Sequence, residues 1–129
     1  MTQRNIETMS TIVSRLADGA KFSDALKTVY SKRKVQIPYD DVNIETQITS
    51  LGLSMRITNA LLRAKLNTIG DVIAFCADKS ITSIPTMGKS SGVELFEAVL
   101  NCCWDGMSAD SRERFLINTV ELNSDNVVA

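Results

Sequence analysis

The 129-residue sequence contains no histidine, two prolines and few aromatic side chains. Without histidine it cannot form Ser-His or Cys-His nucleophile pairs or the usual zinc and haem ligand sets. Its three cysteines, Cys76, Cys102 and Cys103, include no Cys-x-x-Cys pair, so neither a cysteine zinc site nor a disulfide framework fits. We therefore expect no enzyme activity, no metal and no cofactor, in a cytoplasmic protein with reduced thiols.

Long apolar segments are also missing. No run approaches the roughly 18 apolar residues of a membrane span, and the first ten residues lack the apolar core of a signal peptide. Residues 1–43 hold seven cations and five acids, residues 44–105 hold five and six, and residues 106–129 hold two and four. This charge balance argues against a polybasic protein that binds nucleic acid or membranes, so any contact with nucleic acid has to come from a few placed groups.

Apolar residues recur every three or four positions through most of the sequence, which predicts an all-α fold. Both prolines, Pro38 and Pro85, fall between these periodic segments. We predict a small helical bundle with helix-hairpin-helix elements over residues 44–105. A two-helix extension precedes it in residues 1–43, and a C-terminal helix with a frayed tail follows in residues 106–129.

The N-terminal extension is predicted as two amphipathic helices. The first, from about residue 2 to residue 20, presents one apolar stripe composed of Ile6, Met9, Val13, Leu16 and Ala20, with Ile12 alongside. The second begins with Ser23 as its N-cap, has Phe22 as a staple residue and ends in three cations at positions 32–34. Two helices this short rarely form a stable core alone, so we expect them to pack on the rest of the protein, on a second copy or on another protein. The three cations are either a solvated helix end or a second phosphate contact.

A first helix start in the central segment has side chains suited to an anionic partner. Ser54 is predicted to cap this helix, and Arg56 and Asn59 share one face of its first turns. The helix dipole does not explain an arginine at this end of a helix, where acids are favoured. Beside an asparagine, an arginine suits DNA phosphate or a narrow minor groove. The alternative is an exposed Arg56 paired with Glu45 or Asp71.

A second helix start follows a predicted tight hairpin over residues 85–88. Gly88 permits a sharp turn and a close approach of the backbone to a ligand. The first N–H groups of the next helix lack intrahelical acceptors, and its positive end favours a phosphate. Lys89 adds a cation, and Ser90 and Ser91 add hydroxyl donors. The alternative is a capped helix whose start contacts no ligand. A P-loop does not fit this segment, because the position five residues before Gly88 is not glycine.

Two further local features are predicted. Thr68 starts a helix in which Asp71, at the third position, forms a variant of the capping box. Trp104 anchors the end of a long helix over roughly residues 89–103, in preference to a role as a base-stacking platform.

Three motifs occur in order between residues 48 and 100: residues 51–61 (LGLSMRITNAL), 67–72 (NTIGDV) and 84–95 (IPTMGKSSGVEL). Their order and spacing resemble the C-terminal domain of the bacterial RNA polymerase alpha subunit. That family shows a Leu-Ser/Thr-x-Arg-x-x-Asn helix start, a Thr-Ile-x-Asp-Leu helix and a Leu-Gly-Lys-Lys-Ser-x-x-Glu hairpin and helix.

The resemblance implies a small helical domain that binds the minor groove of A/T-rich double-stranded DNA upstream of promoters and contacts activators and sigma factor. It implies that Arg56 enters the minor groove. Asn59, Gly88 and Ser91 are then expected to contact the sugar-phosphate backbone, and Glu94 to orient this surface.

Two departures from the family bear on this expectation. Ser90 stands where the family has a second lysine, which removes a phosphate cation and lowers the expected affinity. Residues 1–43 stand where the polymerase subunit has a long assembly domain, which favours a free-standing relative. We predict a non-enzymatic, transcription-related protein that binds duplex DNA through Arg56, Asn59, Gly88, Lys89, Ser91 and Glu94.

Further partners expected for this protein are RNA polymerase, sigma factor or a transcription regulator, and a second copy paired through the N-terminal helices. The alternative function is a protein-interaction module that binds polymerase, sigma factor or an activator without DNA. The substitution at Ser90 and the net negative charge both favour that alternative.

Overall fold

A computed structural model describes residues 2–30, 35–38 and 44–127. In these ranges the protein is helical, with short 3₁₀ turns and two isolated β-bridges but no strand. The α-helices are α1 (Gln3–Ala17), α2 (Phe22–Lys27), α3 (Met55–Arg63), α4 (Ile69–Asp78), α5 (Lys89–Asp105) and α6 (Ala109–Leu122). The predicted all-α fold with a two-helix N-terminal extension is confirmed, whereas its helix-hairpin-helix elements stay a prediction. No helix in the described part of the protein is both long and apolar enough to cross a membrane.

The backbone divides into two compact units. We call Asn43–Cys103 the central unit, and Met1–Val42 together with Trp104–Ala129 the terminal unit. The division into separate domains at 1–43, 44–105 and 106–129 stays a prediction.

An aromatic cluster forms part of the core of the terminal unit. The ring of Phe22 stacks on Trp104, with centroids 4.2 Å apart and an interplanar angle of 1°. Phe115 lies against both rings at 5.7 and 6.4 Å in tilted geometry. The guanidinium of Arg112 lies 5.1 Å from the Trp104 ring, and its Nε donates to the Trp104 carbonyl at 2.9 Å. The structure confirms that Trp104 anchors the end of α5.

The apolar stripe predicted for α1 is wrong. Ile12 is fully buried with Asn5 and Thr8 on the same face of the helix, whereas Ile6 and Val13 are 49% and 47% exposed. Within the terminal unit α1 contacts both α2 and α6. The helix therefore buries a largely polar face and leaves part of its apolar stripe in solvent.

Hydrogen bonds explain why α1 buries polar side chains. Asn5 Nδ2 donates to Ser124 Oγ at 2.9 Å, and Thr8 Oγ1 donates to a carbonyl one turn earlier, also at 2.9 Å. A buried polar group costs little when it is hydrogen-bonded. Asn5 Oδ1, by contrast, is buried without a hydrogen-bond partner in the described structure. Elsewhere in the unit the buried Asn123 pairs with the Gln36 backbone, donating to its carbonyl at 2.7 Å and accepting from its N–H at 2.8 Å.

The prediction for α2 needs two corrections. The helix begins at Phe22, not after it, and Ser23 is a buried helical residue that does not cap it. The helix ends at Lys27, and Tyr30 then forms an antiparallel bridge to Val127. Burial raises the pKa of the Tyr30 hydroxyl to about 12. The three cations predicted at positions 32–34 lie outside the described residues.

The central unit has an apolar core drawn from α3, α4, α5 and the turns between them. Its buried side chains are those of Ile48, Ile57, Ala60, Leu61, Leu66, Ile69, Val72, Ile84, Met87, Leu95, Val99, Leu100 and Cys103. Burial raises the pKa of the Cys103 thiol to about 12, so this thiol stays protonated at neutral pH. None of the three cysteines is in a disulfide.

The predicted capping box at the start of α4 is confirmed. Thr68 Oγ1 accepts from the Asp71 N–H at 3.1 Å, and Asp71 Oδ2 accepts from the Thr68 N–H at 3.2 Å. Asp71 also accepts from the Asn67 N–H at 2.9 Å. These bonds, with the Asn67 N–H first and the Thr68 N–H second, lower the pKa of the Asp71 carboxyl. The carboxylate is therefore engaged in holding the helix start.

Candidate nucleic-acid interface

The start of α3 is built by local backbone geometry. Gly52 adopts a φ of +69°, which L side chains rarely occupy, and so redirects the backbone ahead of the helix. Ser54 then caps α3, as predicted, because its Oγ accepts from the Ile57 N–H at 3.3 Å. Two exposed residues with hydrogen-bonding side chains, Arg56 and Asn59, follow within the first turns.

The two faces of α3 separate core from surface. Ile57, Ala60 and Leu61 are buried in the central unit. Arg56 and Asn59, three residues apart, lie on the opposite side. The packing of the buried face fixes the rotation of the helix, so both polar side chains are held toward solvent.

The hairpin before α5 is a tight turn, as predicted, but its geometry is different from the prediction. The Met87 N–H donates to the Ile84 carbonyl at 3.1 Å, which closes a four-residue turn with Pro85 in its second position. The third position, Thr86, has a φ of +71°. This pattern is that of a type II turn, in which the third residue must be left-handed.

The predicted role of Gly88 as the turning residue is therefore wrong, since Thr86 supplies the left-handed conformation. Proline fits the second position of a type II turn, and this turn type requires positive φ at the residue after it. Gly88 is exposed, and a Cβ added to it would meet nothing within 4 Å. Open space at this glycine is compatible with the close approach of a ligand, which stays a prediction.

Replacing Thr86 should stabilise the protein. A β-branched residue is strained at φ of +71°, whereas asparagine tolerates the left-handed region. We expect Thr86→Asn to raise the free energy of unfolding by about 1 kcal/mol, measured by urea denaturation followed by far-UV circular dichroism. Thr49→Asn is the matched control at an exposed threonine with ordinary φ. Equal midpoints for the two variants would contradict the strain at Thr86.

The start of α5 leaves backbone donors available. The Gly92 N–H donates to the Gly88 carbonyl at 3.0 Å, which begins the helical ladder. The N–H groups of Lys89, Ser90 and Ser91 precede that bond and have no intrahelical acceptor. Gly88, the residue before the helix, has no side chain that could cap them. A 17-residue helix that follows a glycine favours an anion at this end.

A single contact joins the two helix starts. Nη2 of Arg56 donates to the Thr86 carbonyl at 3.4 Å, across 30 residues of sequence. The bond is long and exposed, so its contribution to stability is small. The bond shows where the Arg56 guanidinium lies, which is beside the hairpin that leads into α5. The alternative pairing of Arg56 with Asp71 is not seen, because Asp71 is engaged in its capping box.

The other predicted site residues lie on or next to these helix starts. Lys89 is exposed and Ser91 half-buried in the first turn of α5. Glu94 is exposed one turn further, and no ion pair joins it to Arg56 or Lys89 in the described structure. The orienting role of Glu94, like the DNA contacts of the remaining residues, stays a prediction.

Charge in the central unit is segregated along the sequence. Residues 46–70 contain Arg56, Arg63 and Lys65 and no acid, and residues 79–93 contain two cations and no acid. The acids between residues 44 and 105 all fall outside these stretches: Glu45, Asp71, Asp78, Glu94, Glu97 and Asp105. The near-zero net charge therefore conceals two cationic stretches, each with one of the helix starts. Neither Arg63 nor Thr86 was predicted to belong to this surface. The signal for Arg63 was the lack of acids around it in the sequence, and the signal for Thr86 was the proline before it.

Metal chemistry has no support at this surface. Among residues 2–30, 35–38 and 44–127, no group of three acidic or cysteine side chains is arranged to hold a metal ion.

Comparison with known proteins identifies the central part of the sequence. Residues 37–101, half of the protein, match the family model that describes the C-terminal domain of the bacterial RNA polymerase alpha chain. A DNA-directed RNA polymerase subunit alpha from a Mycoplasma species is 40% identical over 57 residues. These are 44% of this chain and 16% of that relative, so the chain spans a small part of the length of that subunit. No solved structure matches this protein.

The matched range contains both helix starts and the contact between Arg56 and Thr86. It also contains the capping box of α4. The protein belongs to the family of the C-terminal domain of the bacterial RNA polymerase alpha subunit.

Proposed function

We propose that this protein acts in transcription without catalysis, by binding A/T-rich duplex DNA through its minor groove and phosphate backbone. Arg56 enters the minor groove, where its planar guanidinium reads groove width and charge. The proposed backbone contacts are made by Asn59, Gly88, Lys89 and Ser91. Glu94 helps to orient these groups. The proposal requires no cofactor and no metal.

The observation that carries this proposal is the bond between Arg56 and the Thr86 carbonyl. It brings one cation to the hairpin before α5, and this supports a single surface that combines that cation with the backbone donors at the start of the helix. Backbone N–H groups at a helix start position phosphates without reading sequence, and an arginine beside them adds a preference for a narrow groove. Membership of the alpha C-terminal family supports the same surface.

The direct test is fluorescence anisotropy with a labelled A/T-rich duplex at low salt and a G/C-rich duplex of equal length. The proposal expects saturable binding that favours the A/T-rich duplex and weakens steadily with salt. Absence of binding at low salt would overturn it.

RNA polymerase, sigma factor and transcription regulators are the proposed protein partners. The family match and the polymerase relative support this proposal. A DNA-bound domain without catalytic groups alters transcription through such contacts.

A protein-interaction module without DNA binding is the second candidate. Two observations favour it: Ser90 stands in place of a lysine, and Met55 and Val93 are 79% and 52% exposed beside the two helix starts. Exposed apolar side chains of this size suit a protein surface better than a phosphate backbone. Co-purification with RNA polymerase after nuclease treatment, together with no binding to free duplex, would favour this candidate.

Pairing of two copies through the N-terminal helices remains part of the proposal. Ile6 and Val13 on α1 are half exposed although the helix also packs within its own unit. Light scattering distinguishes a 14.2 kDa monomer from a dimer.

A further inference from the structure

We propose that Arg63 is a further DNA contact, one that binds a backbone phosphate and compensates for the lysine missing at Ser90. This inference rests on the proposed DNA-binding function. It concerns a residue outside the three matching motifs, at the far end of α3.

Helix geometry places Arg63 in line with the proposed contacts. Seven residues are nearly two full turns of an α-helix, so Arg56 and Arg63 lie on one face, with Asn59 between them. Asn59 is about 4.5 Å along the helix axis from Arg56, and Arg63 is about 6 Å beyond Asn59. If Arg56 and Asn59 both contact DNA, the duplex extends along the side of α3 and beyond the N-terminal end of the helix. A long side chain at position 63 then reaches the same strand.

Arg63 is available for such a contact. Its side chain is exposed, and no hydrogen bond or ion pair with another described residue occupies it. No acid occurs between residues 46 and 70, so the nearest part of the sequence offers no competing carboxylate. The cationic stretch around α3 therefore has a second arginine free to meet an anion.

A purely structural explanation competes with this one. Arg63 lies in the last turn of α3, where a cation complements the negative end of the helix dipole. Arg15 occupies the equivalent place in the last turn of α1 and is also exposed. Arg15 thus provides a control with the same charge and the same local role, but in the other unit of the protein.

The test is the salt dependence of duplex binding for wild type, Arg63→Ala, Arg63→Lys and Arg15→Ala, by anisotropy with A/T-rich and G/C-rich duplexes. Loss of one phosphate contact lowers the slope of log K against log salt by about 0.9. We expect Arg63→Ala to lower this slope by about 0.9 for both duplexes, because a phosphate contact does not read sequence. Arg63→Lys should restore the slope, and Arg15→Ala should bind as wild type does.

Circular dichroism establishes that each variant is folded before binding is measured. If wild type binds and Arg63→Ala keeps the full slope, the inference on Arg63 is overturned while the proposed function stands. If Arg15→Ala lowers the slope as much as Arg63→Ala, the effect is bulk charge and the inference also fails. If wild type binds neither duplex, the proposed function fails, and the inference fails with it.

Discussion

Arg56→Ala should weaken binding to an A/T-rich duplex by about 5- to 150-fold, equivalent to about 1–3 kcal/mol. Arg56 is the cation that the structure holds against the hairpin, through its bond to the Thr86 carbonyl. Because the central unit has no excess of cations, few other groups can replace it. The preference for A/T-rich over G/C-rich duplex should fall as well, since an arginine in the minor groove responds to groove width.

Two variants separate this role from bulk charge and from folding. Arg56→Lys keeps the charge but lacks the planar fork, so it should recover part of the affinity and little of the A/T preference. Arg15→Ala removes one cation elsewhere and should leave binding unchanged. Arg56 is exposed, so its substitution should change stability by less than about 0.5 kcal/mol. Equal binding by wild type and Arg56→Ala would end the DNA interpretation of this surface.

Leu61→Ala should lower the free energy of unfolding by about 2–5 kcal/mol, because Leu61 is fully buried behind the face that presents Arg56 and Asn59. Its removal leaves a cavity beneath α3 that the surrounding core fills only in part. A loss of that size is a large share of the stability of a small protein. The helix start would then be populated in its native form for less of the time, and DNA affinity should fall with stability.

Leu62→Ala is the matched control, since the same residue type is 40% exposed at the next position. Its cost should stay below about 1 kcal/mol. Urea denaturation followed by far-UV circular dichroism measures both variants. Similar midpoints for Leu61→Ala and Leu62→Ala would show that the burial pattern of α3 is incorrect.

The starts of α3 and α4 were predictable because each depends on a cap between residues three positions apart, whereas the start of α2 was not. Ser54 and Thr68 cap α3 and α4 through bonds to backbone N–H groups in the first turn, and Ser108 caps α6 in the same way at 3.2 Å. Such caps are local hydrogen bonds, so their residue types and spacing indicate them directly. The cationic and hydroxyl side chains at the starts of α3 and α5 were also predictable, because their residue types and spacing are local features of the sequence.

The orientation of α1 was not predictable, because distant residues decide it. Periodicity favoured burial of Ile6 and Val13, but Asn5 finds a partner in Ser124, 119 residues away. A polar face whose donors are hydrogen-bonded competes successfully with a short apolar stripe, although Asn5 Oδ1 has no partner in the described structure. No local pattern contains that information.

The position of the hairpin before α5 was predictable from the sequence, but its geometry was not. Its position was indicated by proline and glycine, yet the left-handed residue is Thr86, and Gly88 does not have a positive φ. Proline in the second position occurs in both type I and type II turns, and a threonine in the third position favours type I, so the residue types did not indicate the left-handed conformation of Thr86. The contact between Arg56 and Thr86 spans 30 residues and depends on how α3 and the hairpin pack, so it required the structure.

The charge balance now has a more specific meaning. A sum near zero argues against bulk electrostatic attraction, but residues 46–70 and 79–93 contain cations without acids. Each stretch includes one helix start with phosphate-type chemistry. The account therefore predicts binding through a few placed groups, with modest affinity and a shallow salt slope.

The most direct test of this central claim is a titration of the ¹⁵N-labelled protein with an unlabelled A/T-rich duplex, followed by amide chemical-shift mapping. The account predicts that the largest shifts fall at Arg56, Asn59 and the backbone amides of residues 88–91, with the amides of α1 and α6 nearly unchanged. Shifts confined to α1 and α6, or no shifts at low salt, would contradict it.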